Sequence, residues 1–428
     1  MNAAAAVDAA DAAERSWAWV LDQVRWDDDG PWVGTDPPPA SERDTVYEGV
    51  AGLAFALAEV RLARDWSPAE SLLAEAVVDR LVRISPNQFE PSLYCGLAGS
   101  LTAIALLDRS AIDAPVQQLQ QIVTESGWPT TLYPDHDRAV LHDVLVGNAG
   151  IVLATAWLDD PRANDLVTAG CDALLPGATE TSAGLSWPIP GEFSRGTELP
   201  NYSHGTAGVA TALAVAGRKL RRADWVEAAR LGAQHVLALA DLRDGGCRVP
   251  HYVPHGDHDE DPYTYGWCHG PTGTQHMFVA LARAGVESVS GSSCTEVADR
   301  CLFSVIDSGV PARVRPGFWD NDGRCCGTAG VGDVFLDYYQ GATDGQADVY
   351  LGFADTLAQA LIDRAVPNPS NPAQVYWQFV EHRRQLPLLD PTAGWMQGAA
   401  GISAYLFRHA RVKATGRDAT RLSLPDNL

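Results

Sequence analysis

One short pattern recurs seven times in this chain: G-x-x-G followed by an apolar run, starting at Gly49, Gly96, Gly147, Gly205, Gly270, Gly327 and Gly398. The copies lie 47 to 71 residues apart, within or a little above the period range of helical repeats. A repeat of this length is one supersecondary unit that buries its apolar surface against the next copy, which rules out most folds built around a single sheet.

The runs after the turns, such as Leu53-Ala-Phe-Ala-Leu-Ala-Glu-Val and Val209-Ala-Thr-Ala-Leu-Ala-Val-Ala, are apolar nearly all round, as in helices buried on both sides. Between them lie amphipathic segments, for example the one holding Trp225, Ala228, Leu231 and Val236 at helical spacing. The first set reads as an inner layer and the second as an outer one. Alternating layers that close on themselves predict an all-α fold, an α/α toroid whose inner-helix starts converge on one end. The glycines of each turn permit close approach of backbones where a Cβ would clash. For the turns at Gly49, Gly96 and Gly398 that structural role is sufficient.

The chain has 428 residues, 46% of them hydrophobic and spread along its length, so a single domain over residues 1–428 with its core at about 47–407 is expected. Segments rich in Gly, Pro and Asp at 26–42, 176–201, 244–265 and 386–394 are expected as loops that shape a cleft. The net charge of -23 argues against nucleic acid or an anionic membrane as partner, because phosphate binding needs clustered Lys and Arg. The short basic runs, Arg218-Lys219 to Arg222 and Arg383-Arg384, read as solvated faces. No apolar stretch is long enough for an integral membrane segment, and the aspartates among the first thirteen residues do not fit a secretory signal. A cytoplasmic location is expected.

There, eight cysteines are expected as thiols or metal ligands, not as disulfides. Cys95, Cys171, Cys247, Cys294 and Cys301 occur singly and read as small buried residues. Cys325 and Cys326 are adjacent, at a Cα separation of about 3.8 Å that would strain a bridge between them.

The residues that carry chemistry stand just before the glycines. Turn four has His204 before Gly205, turn five Cys268-His269 before Gly270, and turn six Cys325-Cys326 before Gly327; Asp143 lies four residues before Gly147. Three thiolates from Cys268, Cys325 and Cys326 suit Zn2+ far better than magnesium or calcium, and three protein ligands leave a fourth position for catalysis. His204 and His269 compete as ligands on spacing alone. A second group, His251, His255 and His258, lies in a Pro- and Asp-rich loop with no spacing that would aim the imidazoles together, and reads as solvated.

With these residues in place the chain resembles the lanthionine synthetase C (LanC-like) cyclases. The seven turns, Asn201-Tyr-Ser-His-Gly-Thr-Ala-Gly, Trp267-Cys-His-Gly and Cys325-Cys326-Gly-Thr-Ala-Gly carry the resemblance, from Tyr47 to Phe407. It implies seven inner and seven outer helices with zinc at one end. The implied reaction is addition of peptide cysteine thiols to dehydroalanine or dehydrobutyrine, closing thioether rings. The resemblance assigns the zinc ligands to Cys268, Cys325 and Cys326 and the acid/base roles to His204 and Asp143. In the commonest family pattern the third ligand is histidine; Cys326 takes that place here, as in a subset of cyclase domains.

The implied partners are a dehydrated precursor peptide and a separate dehydratase or other modification enzyme, since 428 residues leave no room for dehydratase or kinase-like domains. Two other readings compete. One is addition of glutathione or another small thiol to a dehydroamino acid at the same zinc. The other is a non-catalytic zinc protein serving as a peptide-binding scaffold, which would need a fourth protein ligand from His204 or His269.

Overall fold

The computed structural model describes residues 8–33, 40–133, 139–190, 194, 196–255, 262–312, 321–342, 345–380 and 388–427. Parts of the four expected loops lie outside them, as do His258 and the Arg383-Arg384 run. After a first helix, α1 (Ala9–Asp22), and a single helical turn at Ala40–Arg43, the two expected series alternate. The helices that follow the G-x-x-G starts are α2 (Val50–Ala63), α4 (Leu97–Leu107), α6 (Asn148–Trp157), α8 (Thr206–Leu220), α10 (Pro271–Arg283), α12 (Thr328–Gly341) and α14 (Ala399–Thr415). Between them lie α3 (Pro68–Ile84), α5 (Asp113–Ile122), α7 (Asn164–Leu174), α9 (Ala223–Leu239), α11 (Cys294–Asp307) and α13 (Ala347–Arg364).

The two series differ in burial as their sequences demand. Every residue of α2 from Val50 to Val60 is buried, whereas α9 buries Trp225, Ala228 and Val236 on one side and leaves polar side chains on the other. Short antiparallel hairpins, such as Val24–Asp27 with Gly30–Val33 and Val366–Asn368 with Asn371–Tyr376, occupy several connections.

The chain divides into two compact units, one of Met1–Arg80 with Val310–Leu422 and one of Leu81–Gly309 with Ser423–Leu428. In the first, α14 packs against α1, α2 and α12, and α12 carries α13. In the second, α4, α6, α8 and α10 are successive neighbours, each carrying the outer helix that follows it.

The turns explain the glycines. Each inner helix starts at the residue after the first glycine, and that glycine has no side chain to cap the exposed N–H groups. The preceding loop curls over the helix start instead. In α4, Leu97, Ala98 and Gly99 donate to the carbonyls of Glu90, Pro91 and Ser92; in α6, Asn148, Ala149 and Gly150 donate to those of Leu141, His142 and Asp143. A carbonyl of the loop thereby lies over each glycine: a Cβ at Gly96 would stand 2.2 Å from the Glu90 oxygen.

The second glycine also admits the preceding turn. A Cβ at Gly273 would stand 1.9 Å from the Trp267 oxygen and 2.7 Å from Cβ of Tyr202. Gly273→Ala is therefore expected to lower stability by about 1–3 kcal/mol through overpacking. Gly352→Ala, in open space on α13, is expected to be neutral or to stabilise by about 0.5–1 kcal/mol. Denaturation midpoints of the two variants check this.

Candidate functional site

The loops that cap the inner helices are stitched to one another through their main chains, which sets the side chains they carry in register. In the second unit Tyr94 N donates to Leu145 O, Val144 and Leu145 N donate to Ser203 O, and Ser203 N donates to Cys268 O at 2.8 Å. Four successive turns are thus joined. In the first unit Arg324 and Cys325 N donate to Met396 O at 2.7 and 2.9 Å, and Met396 N donates to Tyr47 O at 3.0 Å. In each unit the donors and acceptors of this belt stand two or three residues before the first glycine of their turns, so within a unit the residues flanking it share one level.

In the second unit that level brings His204 and Asp143 together. His204 Nδ1 lies 2.7 Å from Asp143 Oδ2, and the other carboxylate oxygen accepts from Val146 N at 2.7 Å. Asp143 is 2% exposed, so it is both a turn carboxylate and a fixed anchor for the imidazole. A carboxylate can only accept here, which assigns the Nδ1 proton to His204 and leaves Nε2 for chemistry. The His269 ring stacks on His204 with centroids 5.5 Å apart, and the His251 ring lies 4.1 Å from that of His269. Cys268 is buried next to His269.

The position of His251 corrects the expectation of a solvated histidine cluster for this member: its ring joins the imidazoles of the site, while His255 remains exposed. Nothing in the spacing of a Pro-rich loop predicts that contact. Tyr133 was also missed. Its hydroxyl is pushed up chiefly by burial and then by the charge of Asp143, which sets the phenol close to the pair.

In the first unit Cys326 Sγ donates to Cys325 Sγ at 3.4 Å, and none of the eight cysteines forms a disulfide. Gln397 Nε2 donates to Tyr47 Oη at 2.8 Å, and burial, with the two cysteines adding to it, pushes the Tyr47 hydroxyl well above its usual range. Arg324, the residue before Cys325, lies over the Trp395 ring at 4.2 Å and pairs with Asp333, which Arg408 also holds. The cysteine pair is thereby tied to the buried charges of α12 and α14.

Glu48 is a further titratable group at this level. Burial raises its carboxyl to about 7, with the charge of Glu42 adding and a hydrogen bond to Thr392 opposing. A carboxyl raised on folding contributes stability below its unfolded value of about 4.3, and that contribution is lost as pH rises through about 7. The wild type is therefore expected to lose stability relative to Glu48→Gln as pH rises from 4.5 to 8; denaturation midpoints of the two proteins across that range measure it.

Of the five cysteines read as small buried residues, Cys171, Cys247, Cys294 and Cys301 are buried and Cys95 is only partly so. The reason is its position: Cys95 directly precedes Gly96, where His204 stands relative to Gly205.

Among the described residues, Cys268, Cys325 and Cys326 are the one set of three His, Cys, Asp or Glu that could hold a metal ion. Neither His204 nor His269 belongs to that set. Three thiols fit zinc by donor softness. No described helix is long and apolar enough to cross a membrane.

Comparison with known proteins places the chain in a family and bears on its fold. The family model for lanthionine synthetase C-like proteins matches residues 40–415. Among solved structures, nisin cyclase is similar over 87% of this chain and 90% of that one, with a TM-score of 0.61 and 15% identity. An unsaturated glucuronyl hydrolase specific for heparin aligns over 95% of this chain and 97% of that one, with a TM-score of 0.47 and 10% identity. The nisin cyclase likeness bears on fold, and with the family match it makes the fold class all-α, an α/α toroid as expected from the repeats. With 40–415 matched and every G-x-x-G turn at the start of an inner helix, the chain belongs to the lanthionine synthetase C-like family.

Proposed function

We propose that this protein is a zinc-dependent lanthipeptide cyclase that adds cysteine thiols of a dehydrated precursor peptide to dehydroalanine or dehydrobutyrine, forming lanthionine and methyllanthionine thioethers. Membership of the lanthionine synthetase C-like family supports a role of this type. The observation that carries the reading is the His204–Asp143 pair, an imidazole with one nitrogen fixed by a buried carboxylate, on the same backbone belt as Cys268.

Cys268, Cys325 and Cys326 would hold the zinc. When bound, it supplies a positive centre that keeps the substrate sulfur ionised at neutral pH. The chain's own residues then have to move one proton. Sulfur bonds to Cβ of the dehydroamino acid, the double bond's electrons pass toward the neighbouring carbonyl, and Cα must receive a proton. Nε2 of His204 is the group we assign to that transfer, because Asp143 fixes the other nitrogen as a donor. Asp143 orients the ring and stabilises its charged form. The reaction moves a proton from sulfur to carbon with no change in mass or oxidation state.

We further assign the protein to work on peptides dehydrated by a separate enzyme. Glutathione addition at the same residues is the nearest competing chemistry, and one experiment separates them. A dehydrated peptide containing cysteine is incubated with the zinc protein and excess glutathione. Ring closure leaves the peptide mass unchanged and consumes its thiol; small-thiol addition raises the mass by one glutathione per dehydro residue and would overturn the cyclase assignment.

A further inference from the structure

Tyr47 and Gln397 stand at the level of the cysteine pair for a reason visible in the turn register. Tyr47 lies two residues before Gly49, as Cys325 does before Gly327; Gln397 directly precedes Gly398, as Cys326 precedes Gly327. The belt locks these turns together, since Met396 donates to the Tyr47 carbonyl and accepts from Arg324 and Cys325. Three turns of one unit therefore present these four side chains with little freedom.

The donors point one way. Gln397 Nε2 gives one hydrogen to Tyr47 Oη at 2.8 Å, and the same nitrogen lies 3.9 Å from Cys326 Sγ, within reach of its second hydrogen. With the phenol oxygen accepting from the amide, its own proton goes to Cys325, to which the Tyr47 side chain is hydrogen-bonded. Each sulfur of the pair thus has a donor from outside the pair. A phenylalanine and a methionine would fill the same space, so packing alone does not call for these two polar groups at half-buried positions.

From this network we infer that Tyr47 and Gln397 are positioning residues that aim hydrogen-bond donors at the sulfurs of Cys325 and Cys326 and thereby set how strongly the pair holds zinc. The inference rests on the zinc reading proposed above. Donors to ligand sulfur draw off negative charge, which matters most in an all-thiolate set, and they fix the rotamers in which both sulfurs face the metal.

The test uses the full-length protein loaded with cobalt(II) in place of zinc, whose thiolate-to-cobalt charge-transfer band reports the electron density on sulfur; competition with a chelator reports zinc affinity. Tyr47→Phe and Gln397→Met are each expected to move the band to lower energy and to weaken zinc binding by about 10–100-fold, with far-UV circular dichroism unchanged. A Tyr47→Phe protein with wild-type band and affinity overturns the inference. So does weaker binding with an unmoved band, which is what loss of packing alone would give. Absence of any thiolate band in the wild type defeats the zinc reading itself, and the inference with it.

Discussion

His204→Ala is expected to slow ring closure by about 10²–10⁴-fold, the range for removal of a general acid or base, with zinc content unchanged. The expectation follows from what His204 touches. Its Nδ1 is committed to Asp143, so Nε2 is the only ring atom left to exchange a proton with substrate. Asp143→Asn keeps the size of the side chain but replaces a charge that only accepts with an amide that both donates and accepts. The imidazolium loses its counter-charge and the ring loses its fixed tautomer. A rate loss within the same range, again with full metal content, is expected. Loss of zinc from both variants would reassign these residues to metal binding. The comparison needs zinc analysis and single-turnover rates on one dehydrated peptide.

Cys268→Ala is expected to remove cyclisation to background together with the metal, because a two-thiolate remnant no longer meets the ligand number of a zinc site. Cys326→His is the more informative exchange. It returns the commoner two-cysteine, one-histidine donor set, which carries one negative charge fewer than three thiolates. The three-thiolate set is expected to leave the substrate sulfur more nucleophilic, so the Cys326→His protein should retain zinc and close rings more slowly. Equal rates with zinc retained would remove the argument for a special role of Cys326. The donors from Tyr47 and Gln397 act in the opposite sense to the extra thiolate, so the two features are read together in the same spectra.

Much of this arrangement was legible because the turns repeat. Two glycines three residues apart mark places where a loop carbonyl lies over a helix start, as the Trp267 oxygen does at Gly273, and that constraint recurs wherever the geometry recurs. Apolar runs with no polar stripe, such as Val50 to Val60, can only be buried on both sides, and this separated the inner helices from the outer ones. Cys268, Cys325, Cys326, His204 and Asp143 stand out as candidates because chemically distinctive residues lie close to those glycines.

The same register also holds what was missed. Tyr47, Glu48, Cys95 and Gln397 stand at the corresponding positions of turns one, two and seven, where residue type alone gives no sign of a site; aligning the seven turns residue by residue would have singled them out. His251 had no such signal. Its contact with His269 arises from a connection of irregular backbone, and neither a period of two nor one of 3.6 operates there. The short hairpins escaped notice for the same reason, most being paired over only two or three residues.

The central claim is that this chain closes thioether rings with a zinc held by three cysteines. A dehydrated peptide carrying one cysteine and one dehydroalanine is incubated with the zinc-loaded protein and, in parallel, with protein stripped by a chelator; both samples are then treated with a thiol-alkylating reagent and weighed by mass spectrometry. The peptide from the zinc-loaded reaction is expected to keep its mass and resist alkylation, while the stripped reaction yields alkylated peptide. Alkylation to the same extent in both would contradict the claim.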